Sequence, residues 1–281
     1  MSRSLKSEYK KKLEELRTQP KKSLGQNFLI NDGVIEQILQ SGSNSEIKNV
    51  IEIGPGLGAL TYGLCEYAEN LKLIEMDRSF AQSWREAGIE VIEQDALKVD
   101  WKTLTSGKKW MLMSNLPYQI SSSIVIDRSL GPDSIVTCVF MFQKEVAERI
   151  QSDCGSKQYG ILSILAQTFW QIQKVVDVSP GSFYPPPKVF SRVLKFNRID
   201  PPSYLFDQVD RQRFLLFIKE CFQQRRKMLT NNLSGMLKAR TLSREQLEAK
   251  LEDLEVGAKA RPEQLSVEQY HELFKWINNG N

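Results

Sequence analysis

"VIEIGPGLGALTYGL", Val50–Leu64, decides the fold. Val50–Ile53 read as a short buried strand, and the glycine-rich turn after them opens a helix. Glycine lacks a Cβ, so Gly54, Gly56 and Gly58 let the backbone turn sharply and approach a ligand closely. Such loops serve nicotinamide, flavin and S-adenosylmethionine sites alike, and a tight turn with no ligand is the plain alternative. Pro55 inside the loop and the absence of the GxGxxG spacing that seats a pyrophosphate favour S-adenosylmethionine.

The strand-then-helix pattern repeats outward from this stretch. "LKLIEMD" (71–77), "IEVIEQD" (89–95), "WMLMSN" (110–115) and "SIVTCVFMF" (134–142) read as further strands, with helical segments such as "RSFAQSWREAG" between them. This alternation predicts an α/β doubly wound sheet with ligands at the carboxyl ends of its strands. "YGILSILAQTFWQI" reads as a later helix. "KVVDVS" (174–179) and "SRVLKF" (191–196) then follow one another with no helix between, which predicts an antiparallel last strand. Two prolines in "NRIDPPSY" (197–204) interrupt any regular element and mark a domain boundary, beyond which the pattern is all-helical. Ser243/Gln246 and Ser266/Gln269 carry the capping-box spacing of helix starts. The expected organisation is a basic extension over 1–22, an α/β domain over 23–199 and a small helical domain over 200–281.

Composition narrows the function. Hydrophobic residues make up 41% and charged residues 26%, enough for a real core and too ordered a mix for a disordered chain. No apolar run reaches the roughly 18–20 residues of a membrane span, and the charged N-terminus has no secretory core region, so a cytoplasmic protein is expected. The cysteines, Cys65, Cys138, Cys154 and Cys221, match no zinc or redox spacing and are expected to be buried thiols. With His271 the lone histidine, no histidine-based metal site is expected. Net charge is only +4, but residues 1–22 hold eight Lys/Arg against three Glu, and residues 211–240 hold eight against Glu220 alone. These runs are either solvated faces or phosphate contacts. Arg225, Arg226 and Lys227, with Arg211, Arg213 and Lys219, are expected on a helix surface as an RNA-binding face. Pairing of the arginines with Glu245 or Glu248 is the competing reading.

The strand ends carry the candidate chemistry. Glu75 ends the second strand, where a carboxylate accepts from both hydroxyls of a ribose, and Asp95 ends the third, where an acid accepts from an adenine amino group. Asn115-Leu116-Pro117-Tyr118 ends the fourth. An adenine amino nitrogen is a poor nucleophile because its lone pair is delocalised into the ring. The Asn115 side-chain oxygen and the Leu116 backbone carbonyl, accepting its two N–H groups, can draw it toward a tetrahedral geometry. Tyr118 offers a face for the base, and Phe183, before the stiff Pro185-Pro186-Pro187 run, is expected to sandwich the flipped base from the other side. A strand-to-turn junction and a proline loop with a core phenylalanine are the bland counterparts.

"KKSLGQNFL" (Lys21–Leu29), "EIGPGLG", "NLPY" and "FYPPPKV" together resemble, in order and spacing, the ribosomal RNA adenine dimethyltransferases. "FQQRRKMLTNNL" (Phe222–Leu233) and "ARPEQLSVEQYHELF" (Ala260–Phe274) look like the C-terminal domain of their small-subunit branch. The resemblance implies a class I methyltransferase, Rossmann-like fold that uses S-adenosylmethionine and no metal. It implies dimethylation of two adjacent adenosines in the 3′-terminal hairpin loop of 16S rRNA within an immature small ribosomal subunit, by a monomer. Cofactor contacts then fall on Asn27, Leu29, Gly54, Gly56, Glu75, Asp95 and Asn115, and the catalytic pocket on Asn115, Leu116, Tyr118 and Phe183. Two alternatives remain: the large-subunit methyltransferases of the macrolide-resistance type, and a non-catalytic RNA-binding assembly factor on the same fold.

Overall fold

The apolar runs become strands. The computed structural model describes residues 5–21, 24–43 and 46–279. Its strands are β1 (Phe28–Leu29), β2 (Asn49–Ile53), β3 (Asn70–Ile74), β4 (Glu90–Ile92), β5 (Trp110–Asn115), β6 (Ile135–Gln143), β7 (Trp170–Val178), β8 (Phe183–Tyr184) and β9 (Ser191–Arg198). Seven of them form one sheet in the order β4-β3-β2-β5-β6-β9-β7. β2, β3, β4, β5 and β6 pair in parallel, and β9 runs antiparallel to β6 from Thr137↔Asn197 to Gln143↔Ser191. Val50, Ile51, Leu73, Met111, Leu112, Met113 and Val139 are sealed from solvent, because helices cover both faces of a parallel sheet. From β2 the chain winds outward through β3 and β4, then returns to the other side of β2 at β5. The strand order therefore reverses between β2 and β5, where a crevice opens at the carboxyl ends. β1 and β8 form a separate two-stranded pair, Phe28↔Tyr184 and Leu29↔Phe183, a long-range contact that two residues of sequence do not signal.

The chain divides into two compact units, Met1–Ala147 with Gln171–Arg198, and Glu148–Trp170 with Ile199–Asn281. The second is thus discontinuous, unlike the 200–281 domain expected from the prolines. The difference lies in the helix Ile161–Phe169, where Leu162, Ile164, Leu165, Ala166 and Phe169 are all buried. A helix apolar nearly all round must be enclosed by other helices. Thr168 Oγ1 lies 3.0 Å from His271 Nε2, Ile199 N donates to the Phe169 carbonyl, and the Arg211 guanidinium sits 5.4 Å from the Phe169 ring centre. The helix also ends sooner than the periodicity suggests, since β7 begins at Trp170.

Within this unit the helices Gln208–Cys221, Arg244–Asp253 and Val267–Asn279 enclose Phe214, Phe217, Ile218, Leu247, Leu251, Tyr270 and Leu273. Both capping boxes form. Ser243 N donates to Gln246 Oε1 at 2.7 Å and Gln246 N to Ser243 Oγ at 3.2 Å, and Ser266 and Gln269 exchange the same bonds at 2.8 and 3.3 Å. His271 is partly buried, with its ring 5.4 Å from Phe214 and its pKa pushed by burial down to about 4.

In the first unit, residues 5–15 of the basic extension form a helix, with Tyr9 and Leu13 buried against Phe28, Leu57, Leu73, Phe80 and Trp84. Residues 1–4 and Lys22 of the basic extension, and Ser23 of the "KKSLGQNFL" motif, lie outside the described residues. Among the cysteines only Cys138 and Cys221 are buried, while Cys65 and Cys154 are exposed, contrary to the reading of all four as core thiols. No helix among the described residues is long and apolar enough to cross a membrane.

Candidate active site

A cavity of about 340 Å³ opens at the β2/β5 switch point, and the loops after β2, β3, β4 and β5 wall it. Its lining includes Asn27, Leu29, Gly54, Gly56, Glu75, Asp95, Asn115, Leu116 and Tyr118, so one crevice collects these expected residues. Its size falls in the ordinary range for a small-molecule site.

The glycine loop is tightly held. Gly54, Gly56 and Gly58 have φ of +66°, +51° and +97°. Gly54 N donates to the Ile74 carbonyl at 2.8 Å, and Trp84 Nε1 donates to the Gly56 carbonyl at 3.0 Å. A Cβ on Gly56 would meet the Phe28 ring at 2.9 Å, so the loop seats against aromatic walls that admit only hydrogen there.

Three acids stand behind the loop in different states. Glu75, 6% exposed, accepts from Gly56 N at 3.1 Å on one carboxylate oxygen and from Asp77 N at 2.8 Å on the other. Each oxygen keeps a further acceptor position, which suits a ribose diol. Burial raises the pKa of Glu75, against the lowering by these N–H groups. Asp77 is buried as well, but bonds from Gln26 Nε2 at 3.0 Å and Lys21 Nζ at 2.9 Å outweigh the burial and hold it below the usual range. Asp77 thereby fastens Lys21 and Gln26 to the end of β3. Asp95 is half-buried, and its carboxylate accepts from Leu97 N at 3.0 Å.

Glu52, 2% exposed, accepts from Thr61 Oγ1 at 2.7 Å. Burial, opposed by this bond and aided by the charge of Glu75, pushes its pKa up to about 8. In the unfolded chain the group ionises near 4.5, so the folded state binds the extra proton between the two values. Its contribution to stability is complete below about pH 4.5 and is lost as pH rises through about 8. Glu52→Gln is therefore expected to gain on the wild type across this window, by up to about 1.4 kcal/mol per pH unit. Thermal melts of both proteins from pH 5 to 9 check this, and a difference that stays constant with pH would refute it.

Asn115 ends β5 with its amide pinned: Nδ2 donates to the Asn27 carbonyl at 2.9 Å. An amide whose nitrogen is committed presents its oxygen in a fixed direction. The turn after it uses the Pro117 and Tyr118 carbonyls, bonded by Ile120 N at 3.1 Å and Ser121 Oγ at 3.0 Å, and not that of Leu116. The Leu116 side chain is buried, which fixes this part of the turn. Tyr118 is half-buried and its hydroxyl lies 2.7 Å from Ser191 Oγ, so its ring is held from the far end. Burial raises its pKa.

Phe183 is the exception. Its ring is 3% exposed and packs in a core cluster with Leu29, Val34, Val178 and Val193, and it is not on the cavity wall. The β1–β8 pairing turns it inward behind Leu29, so the sandwich with Tyr118 is not formed in this conformation.

Sequence reasoning missed Tyr9, Gln26, Glu52 and Gln119, all on the cavity wall. For Tyr9 a signal existed: Leu5, Tyr9, Leu13 and Leu16 recur at helical spacing, the mark of a helix that buries one face.

The basic cluster of the helical unit is also rearranged. The helix Gln208–Cys221 stops before Phe222, so Arg225, Arg226 and Lys227 lie in a turn and not on a helix face. Arg225 Nη2 donates to the Ser156 carbonyl at 3.2 Å and its Nε is 3.9 Å from Glu263, in place of Glu245 or Glu248. Arg211 is buried, donating to the Leu205 and Phe206 carbonyls at 2.7 and 3.3 Å, and belongs to no surface. Arg213, Lys219, Arg226 and Lys227 are exposed.

Comparison with known proteins agrees with this layout. Residues 17–279 match the family model described as "Ribosomal RNA adenine dimethylase". The chain is 49% identical over 255 residues, 91% of each chain, to "Ribosomal RNA small subunit methyltransferase A" of Bdellovibrio bacteriovorus. The crystal structure of a dimethyladenosine transferase from Plasmodium falciparum superposes with a TM-score of 0.74 at 25% identity, over 90% of this chain and 98% of that one. The crystal structure of the 23S rRNA methyltransferase ErmE gives 0.66 at 27% identity, over 90% and 100%. Both likenesses extend over the Rossmann-like sheet and the C-terminal helices.

Proposed function

The chain belongs to the ribosomal RNA adenine dimethylase family, and from that premise we propose that it dimethylates two adjacent adenosines in the 3′-terminal hairpin loop of 16S rRNA. The chain is an enzyme, an rRNA methyltransferase. The donor is S-adenosylmethionine and the substrate an immature small ribosomal subunit, met in the cytoplasm by the enzyme as a monomer. The observation that carries the chemistry is the Asn115 amide, fixed by the Asn27 carbonyl at the rim of a cavity that the glycine loop and Glu75 also wall.

S-adenosylmethionine, when bound, supplies a methyl group already activated on a sulfonium. Glu75 and Asp95 are placed to accept from its ribose and adenine, and Asn27, Leu29, Gly54 and Gly56 to line its path. The Asn115 oxygen and the Leu116 carbonyl accept the two N–H groups of the target adenine, and the Tyr118 ring carries its face. Positioning supplies most of the rate, so no strong base is needed. Phe183 enters this scheme only if the β8 loop shifts when RNA binds, because its ring now lies in the core.

The large-subunit alternative is the weaker reading. Besides the Bdellovibrio bacteriovorus relative, one from Syntrophotalea carbinolica, 41% identical over 261 residues, carries the same small-subunit name. A purely scaffolding role leaves the fixed amide and the cavity unexplained. The test is mass spectrometry of rRNA after incubation with labelled S-adenosylmethionine and unmethylated small subunits. Dimethylation of two neighbouring 16S adenosines is expected; label confined to 23S rRNA, or none, would overturn the proposal.

Arg226 and Lys227, exposed in their turn, are proposed to meet rRNA phosphates, whereas Arg225 braces its own unit. Arg226→Ala is expected to reduce the slope of log K against log salt for particle binding by about 1, as one phosphate contact predicts, with the melting temperature unchanged. Arg225→Ala is expected to lower the melting temperature by about 2–4 °C, as the loss of roughly 1 kcal/mol predicts. Binding titrations at four salt concentrations and melts of the same preparations check both, and the reverse pattern would exchange the two roles.

A further inference from the structure

Val189 and Phe190 are 44% and 55% exposed, two large apolar side chains side by side on the surface. Their place in the fold is specific. Phe190 immediately precedes β9, and its carbonyl accepts from Lys144 N at 2.9 Å, which holds it at the carboxyl end of β6. The next residue, Ser191, is fully buried, with its Oγ 2.7 Å from the Tyr118 hydroxyl. Phe190 is thus the chain neighbour of the residue that holds the Tyr118 hydroxyl, with the two Cα atoms about 3.8 Å apart. Exposed Lys188 adds a positive charge next to the pair in the chain.

We infer that Phe190, with Val189, is a stacking platform for the unpaired nucleotide next to the target adenosine, whose phosphate lies by Lys188. The inference rests on the reading of the cavity as a site for an rRNA adenosine. An exposed aromatic ring beside a cation suits a single-stranded base and its phosphate, because every base has a π-face and the backbone is anionic. Extruding one base from a loop leaves its neighbour without a stacking partner, and a platform next in the chain to the Tyr118 anchor replaces the lost contact. Ser191 makes Phe190 a positioning residue: a nucleotide stacked there sets the distance between the next base and Tyr118.

The test compares wild type, Phe190→Ala and Phe190→Trp on naked 16S rRNA and on unmethylated small subunits. For Phe190→Ala the KM for RNA is expected to rise about 5- to 100-fold, the range that loss of one base-stacking contact gives. S-adenosylmethionine affinity and melting temperature should stay at wild-type values, since Phe190 is more than half exposed. Phe190→Trp should restore KM. Wild-type KM in Phe190→Ala overturns the platform while leaving the methyltransferase reading intact. An effect on the particle but not on naked rRNA also overturns it, because the ring would then meet a ribosomal protein. A wild-type enzyme that methylates neither substrate removes the reading and the platform with it.

Discussion

Asn115→Ala is expected to lower kcat about 10²- to 10³-fold with the fold intact. The comparison is with preorganised groups that meet charge as it develops in a transition state, where removal of one costs about that factor. As the amino nitrogen attacks, it gains positive character and its N–H groups become stronger donors. The Asn115 oxygen then accepts more strongly in the transition state than in the ground state, so kcat falls more than RNA affinity. The fixed geometry is what gives the group its effect, since the bond from Asn115 Nδ2 to the Asn27 carbonyl, 2.9 Å long, removes any need to reorient during reaction. Asn115→Asp separates the two roles. It keeps an acceptor, but a carboxylate cannot donate to the Asn27 carbonyl and is repelled by it. Its rate is expected between those of wild type and Asn115→Ala. Single-turnover methylation with saturating RNA checks the series, and full turnover by the alanine variant would remove Asn115 from the mechanism. Because Asn115 is only partly buried, its loss should move the melting temperature little.

Much of this site was legible because the fold puts information at strand ends. Apolar runs such as "VIEI" and "WMLMSN" announce buried strands, and in a doubly wound sheet the residues just after them must converge on one rim. That rule alone brings Glu75, Asp95 and Asn115 to the glycine loop. What the sequence hid were contacts made by pairing across the chain. Phe183 reads as a pocket aromatic beside its prolines, yet the two-residue match of β8 with β1 turns it into the core. Arg211 and Arg225 read as cations for RNA, yet backbone carbonyls at Leu205 and Ser156 engage them. A proline pair marked a boundary near residue 200, but the apolar helix Ile161–Phe169 belongs by its packing with the helices beyond that boundary. In each case the local signal was sound and the partner, distant in sequence, decided the outcome.

Gly58→Ala is expected to cost about 2–4 kcal/mol and to weaken S-adenosylmethionine binding along with stability. At φ +97° any side chain is strained, and here the added Cβ also has nowhere to go. It would stand 2.7 Å from two atoms of the Trp84 ring and 2.8 Å from Tyr62. Tyr62, 57% exposed, can swing aside, but Trp84, 3% exposed, cannot. Trp84 is bonded through Nε1 to the Gly56 carbonyl, and Lys12 binds the Tyr62 hydroxyl at 2.9 Å while lying 4.6 Å from the Trp84 ring centre. Displacing Trp84 therefore pulls on the glycine loop itself and on the N-terminal helix that walls the cavity through Tyr9. Gly88 is the control. Its φ is +83°, but nothing lies within 4 Å of its would-be Cβ, so Gly88→Ala carries the backbone cost alone, about 1 kcal/mol. Melting curves should show Gly58→Ala losing about 5–10 °C and Gly88→Ala about 2–4 °C. Calorimetric titration should find cofactor affinity reduced only for Gly58→Ala. Equal losses in the two variants would mean that backbone strain, and not the aromatic seat of the loop, reserves the position for glycine.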